Sequence, residues 1–216
     1  MKTLIIIPAY NEEKTIKKVI EKCLKYGKVL VVNDGSSDNT LKEIKKTKAL
    51  YINNRENRGK GYCLRKGFNY AIKKGFDVAI TLDADGQHDP AYIPRFLEEI
   101  KKGKDIVIGT RKKRHSSMPY QRRLSNFVLS FIISIFARKW IKDTQSGYRA
   151  YKVEILKNIK LKTSRYETES EILMKLGRKK VVFGEVRIPT IYGDEKSKIH
   201  PLKDAFRMVK VLKYRK

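Results

Sequence analysis

The sequence predicts a doubly wound α/β fold, and two observations carry that prediction. Short aliphatic runs alternate with helical patterns over the first 110 residues, and acid-bearing polar clusters follow the first, second and fourth of those runs. Such an alternation builds a sheet with right-handed crossovers, whose ligand crevice opens beyond the C-terminal ends of the strands.

The predicted strands are Thr3 to Pro8, Lys28 to Asn33, Ala49 to Asn53, Asp77 to Asp83 and Asp105 to Thr110. Several are apolar nearly throughout, the pattern of strands covered on both faces. Helices are predicted at 12–25, 39–46, 60–74 and 90–102. Glu12 or Glu13 complements the positive end of the first. Ser37, Asp38 or Asn39 caps the second, and Asp89-Pro90 starts the fourth. No internal repeat and no low-complexity linker interrupts the chain, and 216 residues suit one well-buried domain with a C-terminal extension.

Composition narrows the setting. Cys23 and Cys63 form no metal or disulfide pattern, and the opening MKTLIIIPAYNEE has no signal-peptide cleavage site, so a cytoplasmic location is expected. The longest apolar stretch, 127–137, would span roughly 17 Å as a helix at ~1.5 Å per residue, short of a ~30 Å hydrocarbon core, so no transmembrane segment is expected. The formal charge is +27, with 19 Lys+Arg against 13 Asp+Glu in residues 1–100 and 31 against 10 in 101–216. The halves therefore carry +6 and +21. Solvated Lys-rich faces account for part of this, and an anionic partner of the second half accounts for the rest.

Among the strand-end clusters, most of NDGSSDNT reads as turn chemistry, with Gly35 in the turn. Asp34 is the exception, placed to accept hydrogen bonds from a base or ribose. In DADGQHDP, Asp89-Pro90 explains the helix start and leaves Asp83 and Asp85 over. Residues i and i+2 of an extended segment point the same way, so both carboxylates can face one hard cation, Mg²⁺ or Mn²⁺, while Ala84 points back into the protein. His88 reads as a surface residue rather than a ligand.

The ordered motifs PAYNEE, VVNDGSSD, NRGKGYCLRKGF, LDADGQHDP, IGTR, DTQSGYRAY and YGDEKSK resemble the inverting family 2 glycosyltransferases of GT-A fold, in particular the dolichol-phosphate mannose synthase-like branch. The resemblance runs from residue 3 to about 205. It implies one catalytic domain, 1–200, with a nucleotide-sugar and metal half (1–110) and an acceptor half (111–200). Pro8, Tyr10, Glu12, Val32 and Asp34 would hold base and ribose. Asp83, Ala84, Asp85 and Gln87 match the diphosphate segment, with Asp83, Asp85 and Gln87 as metal ligands. Arg111 would lie near the phosphates. Arg122 with Asn126 would receive the acceptor phosphate, Arg123 and Ser125 being rival assignments. Ser197 and Lys198 fall in a loop expected to close over donor and acceptor; Arg187 and Lys196 fit that pattern less directly, because the loop is two residues longer.

The implied reaction moves a hexose, mannose or glucose, from a GDP- or UDP-linked donor to a polyprenyl phosphate at the cytosolic membrane face. A phosphate monoester, with a second pKa of ~6, already presents an anionic oxygen, whereas a hydroxyl acceptor must lose a proton during attack. Glu169 and Glu171, in YETESEILMK, occupy the region where hydroxyl-transferring relatives keep a catalytic acid, so a saccharide or lipid hydroxyl is the alternative acceptor. Phe127, Val128, Phe131, Ile132 and Ile135 recur at helical spacing between basic ends. Leu202, Ala205, Phe206, Val209 and Leu212 do the same in a basic helix at 201–216. Such stripes fit either the lipid interface, including an anionic membrane surface, or packing on the sheet. A nucleic-acid partner, prompted by KKRH at 112–115, lacks any accompanying binding signature.

Overall fold

The computed structural model describes residues 1–111 and 120–189, with the backbone alone for 120–127. Seven strands form one mixed sheet: β1 (Thr3–Ala9), β2 (Lys28–Asn33), β3 (Leu50–Asn53), β4 (Val78–Thr81), β5 (Ile106–Arg111), β6 (Arg149–Lys152) and β7 (Phe183–Ile188). Their order is β3-β2-β1-β4-β6-β5-β7. β6 runs antiparallel to both β4 and β5, and the remaining pairs are parallel. The sheet is thus the mixed one of the GT-A fold.

Alternation along the strands explains the three layers. Leu4 and Ile6 of β1, with Leu30 and Val32 of β2, pack under α3 (Lys60–Lys73), α5 (Tyr120–Ala137), α6 (Val153–Lys157) and α7 (Glu167–Gly177). Ile5 and Ile7, with Val29 and Val31, face α1 (Ile16–Cys23), α2 (Thr40–Lys45) and α4 (Ile93–Lys101). Each fully buried aliphatic side chain contributes about 1.5–3 kcal/mol, so a central strand covered on both faces anchors the domain.

Element ends shift from the sequence expectation for local reasons. α1 begins at Ile16 rather than residue 12, because Asn11 adopts a left-handed φ of 55° and residues 12–15 form a turn. The strand expected over 77–83 hydrogen-bonds as a strand only to Thr81, and the chain then turns into the acidic segment. Pro90 opens a short 3₁₀ turn before α4, as a proline in a first turn allows.

α5 is apolar on both sides, and two serines share the inner face with Leu129, Ile133, Phe136 and Ala137. Ser130 and Ser134 are buried: the Ser130 hydroxyl lies 3.0 Å from that of Thr144, and Ser134 donates to the Ser130 carbonyl at 2.7 Å. Val128, Phe131, Ile132 and Ile135 face outward, and Trp140, 64% exposed, meets Phe131 edge-on just beyond the helix. Only Ile133 and Ala137 of the helix's described side chains are buried apolar groups. Among the described residues no helix is long and apolar enough to cross a membrane.

Candidate active site

The crevice is built from loops at the C-terminal ends of β1, β2 and β4. Adjacent strands β1 and β2 bring PAYNEE against NDGSSDNT, and the two loops bond side by side. The Asn11 side-chain oxygen Oδ1 accepts from Ser37 N–H (2.9 Å), Glu12 N–H donates to Thr40 Oγ1 (2.7 Å), and Glu13 N–H donates to Asp38 (3.2 Å). Tyr10 is exposed above this seam, Pro8 and Glu12 are half-buried, and the Val32 side chain lies wholly within the core opposite Pro8.

Asp34 is 3% exposed. One carboxylate oxygen accepts from Asn54 Nδ2 (2.8 Å) and Arg58 N–H (3.0 Å), the other from Gly59 N–H (2.7 Å). The acid therefore ties β2 to the loop that starts α3. Gly59 sits at φ 94°, a conformation L side chains rarely adopt, and a Cβ there would come within 2.7 Å of the Ser164 carbonyl.

That tie places Lys60, the first residue of α3, over the acidic segment. Its ammonium lies 2.5 Å from Asp83 and 3.2 Å from Glu169, in the first turn of α7. Burial opposes the charge on Lys60, but the two carboxylates outweigh it and raise its pKa. Burial likewise opposes ionisation of Asp83, and the Lys60 charge overrides it, holding that carboxyl well below the usual range. Gly147 closes the pair from the loop before β6. A Cβ there would fall 2.8 Å from both the Asp83 oxygen and the Lys60 nitrogen.

Ala84 is buried in the core, while Asp83, Asp85 and Gln87 remain half-buried toward the crevice. Asp85 accepts from Gln87 N–H at 2.9 Å, which closes the turn. Two carboxylates and an amide supply hard oxygen atoms, the donor set that Mg²⁺ or Mn²⁺ prefers. Among the described residues no cluster of three or more His, Cys, Asp or Glu forms a closed metal cage. A divalent ion at this strand end would thus take part of its shell from a bound diphosphate.

His88 corrects the sequence reading. It is buried rather than on the surface, its Nδ1 accepting from Asp83 N–H at 3.2 Å and its ring packing on Tyr148 at 5.2 Å. Burial depresses its pKa, the direction in which an acceptor role for Nδ1 is favoured. Arg111 is bound to Asp143 of DTQSGYRAY through Nε (2.8 Å) and Nη2 (3.0 Å). Burial of Asp143 is outweighed by that guanidinium, which lowers the acid's pKa. Sequence reasoning missed Lys60 and Asp143, although both lie in motifs that carried the resemblance.

The two late acids separate. Glu169 meets Lys60 beside Asp83, whereas Glu171 turns away and accepts from the backbone of Lys162 and Thr163, the Thr163 hydroxyl (2.6 Å) and Lys175 (2.7 Å). Burial raises the Glu171 pKa less than these bonds lower it. Glu171→Ala leaves the half-buried Lys175 ammonium with only the Lys160 carbonyl and the Lys162–Thr163 backbone without its acceptor, and is expected to destabilise the fold by about 3 kcal/mol in urea titration at pH 7. The contribution is complete above the unfolded carboxyl's pKa of about 4.3 and is lost as pH falls through the lower folded value, so the difference from wild type narrows in acid.

Arg187 lies exposed on β7, beside Thr110. Arg122, Arg123, Ser125 and Asn126 belong to the first part of α5, but their side chains are outside the described residues. Lys196, Ser197, Lys198, the helix expected over 201–216 and KKRH also lie outside them.

A seven-stranded sheet of this order, with a D-x-D turn at the end of its fourth strand, defines a nucleotide-diphospho-sugar transferase of the GT-A class. The chain belongs to glycosyl transferase family 2, whose model matches residues 4–160, and it is a glycosyltransferase. It is 37% identical over 215 residues to the UDP-N-acetylglucosamine--dolichyl-phosphate N-acetylglucosaminyltransferase of Methanococcus voltae, covering 88% of this chain and 86% of that one. It is 31% identical over 208 residues to the dolichol-phosphate mannosyltransferase of Pyrococcus furiosus, covering 89% of this chain and 57% of that one. Among solved structures, glucosyl-3-phosphoglycerate synthase from Mycobacterium tuberculosis, in complex with Mn²⁺, UDP-glucose and phosphoglyceric acid, shares the fold. The TM-score is 0.79 at 16% identity, over 99% of this chain and 79% of that one.

Proposed function

We propose that this chain transfers a sugar, with inversion, from a nucleotide diphosphate to a polyprenyl phosphate. The observation that carries the donor half is the half-buried Asp83–Asp85 turn facing the crevice beside Lys60 and Arg111. Asp85, with Asp83 and Gln87, would hold a divalent ion, Mg²⁺ or Mn²⁺, which supplies Lewis-acid neutralisation of the leaving diphosphate. The seam formed by Pro8, Tyr10, Glu12 and the Asp34 loop offers the base and ribose a wall, with Tyr10 available for stacking. Arg111, held by Asp143 at the end of β5, adds positive potential next to the phosphates.

The acceptor half is supported by the names of the two relatives and by α5. Its first part carries Arg122, Arg123, Ser125 and Asn126, our candidates for the acceptor phosphate, and its later part presents Val128, Phe131, Ile132 and Ile135 outward. We read this as a helix lying at the lipid interface on the cytosolic side, with Ser197 and Lys198 closing over the bound substrates. Trp140 is the only tryptophan in the chain, so docking has a direct optical signal. Its emission is expected to shift to the blue on adding vesicles of phosphatidylglycerol, and less so at high salt. Phe131→Glu combined with Ile135→Glu is expected to remove the shift; an unchanged shift in that variant would count against docking through α5.

Of the donors, UDP-N-acetylglucosamine comes first because the relative named for it matches at 37% identity over most of both chains. The deciding experiment supplies labelled UDP-N-acetylglucosamine, UDP-glucose or GDP-mannose with Mg²⁺ or Mn²⁺ and a short polyprenyl phosphate. Label is expected in the lipid extract with UDP-N-acetylglucosamine. No labelled lipid from any donor would sink the acceptor assignment.

A further inference from the structure

β4 ends at Thr81, and its last bond to β1 runs from Leu82 N–H to the Ile6 carbonyl at 3.3 Å. The next donor, Asp83 N–H, has left the ladder and needs another acceptor. His88 Nδ1 takes it at 3.2 Å, a bond from residue i+5 back to residue i that closes a loop around Asp85 and Gln87. Inside that loop Gly86 adopts a φ of 78°, and Asp85 accepts from Gln87 N–H at 2.9 Å. The imidazole is itself fixed. Its ring centre lies 5.2 Å from that of Tyr148, which stacks on Phe96 of α4 at 4.4 Å, and all three side chains are buried. Tyr148 also donates its hydroxyl to the Asp89 carbonyl at 3.2 Å, so one aromatic column holds the acidic segment near both of its ends. Gly109 of β5 leaves room for that column, since a Cβ there would come within 3.1 Å of both the Phe96 ring and the Tyr148 carbonyl. The Asp83 carboxylate is 3.7 Å from the same His88 nitrogen, beyond hydrogen-bond distance, so the geometry selects the backbone N–H as its partner.

Resting on the donor half of the reaction proposed above, we further propose that His88 is a positioning residue for the cation-holding turn: its Nδ1 lone pair, seated by Tyr148, sets Asp85 and Gln87 in place before a cation arrives. A turn left open would have to be ordered at the moment of binding, and that cost would come out of the affinity. Hydrogen bonds that orient metal ligands typically contribute about 10–100-fold to metal affinity for this reason. The contact is made by a lone pair, so the neutral imidazole carries its proton on Nε2. Any side chain that presents an acceptor at that place can then close the turn, and a ring without one cannot. An asparagine Oδ1 stands close to the position of Nδ1, whereas a phenyl group keeps only the packing on Tyr148.

Two replacements separate the lone pair from the packing. His88→Phe keeps a ring on Tyr148 and removes the acceptor; His88→Asn keeps an acceptor and gives up the ring. Binding of UDP and of GDP is titrated by calorimetry with and without Mn²⁺, and thermal melting reports the fold. His88→Phe is expected to lose at least about tenfold of the affinity that Mn²⁺ adds in wild type, with binding of the nucleotide alone unchanged, and His88→Asn to stay within about threefold of wild type. Wild-type behaviour in His88→Phe, or a loss in His88→Asn as large as that in His88→Phe, would overturn the positioning role while leaving the metal assignment intact. A wild-type protein that gains no affinity from Mn²⁺ for either nucleotide would instead remove the cation from this turn, and the inference with it. Should His88→Phe not fold, the wild type still decides. Nitrogen-15 NMR of its imidazole at neutral pH is expected to place the proton on Nε2 and to show a coupling between the Asp83 amide and Nδ1 across the hydrogen bond. A proton on Nδ1 would overturn the acceptor role.

Discussion

Asp85→Asn is expected to lower sugar transfer by at least about 10³-fold and to abolish the gain in donor affinity on adding Mg²⁺ or Mn²⁺, while thermal melting stays within a few degrees of wild type. The size follows from the distribution of charge at the strand end. Asp83 already has the Lys60 ammonium at 2.5 Å, so its negative charge is largely neutralised within the protein. Asp85 is half-buried in the same turn, accepts from the Gln87 N–H, and is the carboxylate we assign to the cation. An amide keeps the size and one oxygen but removes that charge. Asp83→Asn should act differently, leaving Lys60 to Glu169 alone and loosening the contact between α3 and β4. Calorimetric titration of nucleotide diphosphate with and without the metal distinguishes the two variants. Full activity in Asp85→Asn would remove the metal from this turn.

The part of the fold legible in the sequence is the part built from uninterrupted apolar strands. TLIIIPA and KVLVVN are buried on both faces, and such runs announce themselves without knowledge of their neighbours. The second half was opaque because its elements break those rules. β6 is only RAYK, four residues that include a buried arginine, and α7 buries Glu169 and Glu171 among its leucines. α5 carries apolar residues on both sides, Ile133 and Phe136 inward with two serines and Phe131 and Ile135 outward, so its stripe was visible but its direction was not. Within the site, Asp83 and Asp85 were legible from i, i+2 spacing at a strand end. Their partners were not, because the antiparallel insertion of β6 between β4 and β5 is what carries Gly147 onto the Asp83–Lys60 pair. His88 was misjudged for a related reason: only the fold supplies Tyr148 to cover its ring.

Arg149→Met is expected to be the most damaging single change to stability. Arg149 is fully buried at the start of β6 and donates to three backbone carbonyls, of Ser146 through Nε (2.7 Å), Glu169 through Nη1 (2.8 Å) and Thr144 through Nη2 (2.7 Å). These acceptors lie on two separate segments, the 143–147 loop and the first turn of α7, and the rigid guanidinium fork satisfies all three at once. Methionine fills much of the volume but leaves three buried carbonyls unpaired, at about 1–3 kcal/mol each before relaxation. A net loss of about 3–5 kcal/mol lowers the melting temperature by on the order of 10 °C in a chain of this length. Arg149→Lys should recover little, since one ammonium cannot reach carbonyls arrayed along a fork. The same segments carry Asp143, Gly147 and Glu169, so the variant's residual folded fraction should also bind donor more weakly, with Arg111 and Lys60 no longer held in register. A melting temperature within about 2 °C of wild type would show that the loop and α7 are fixed by their packing rather than by this arginine.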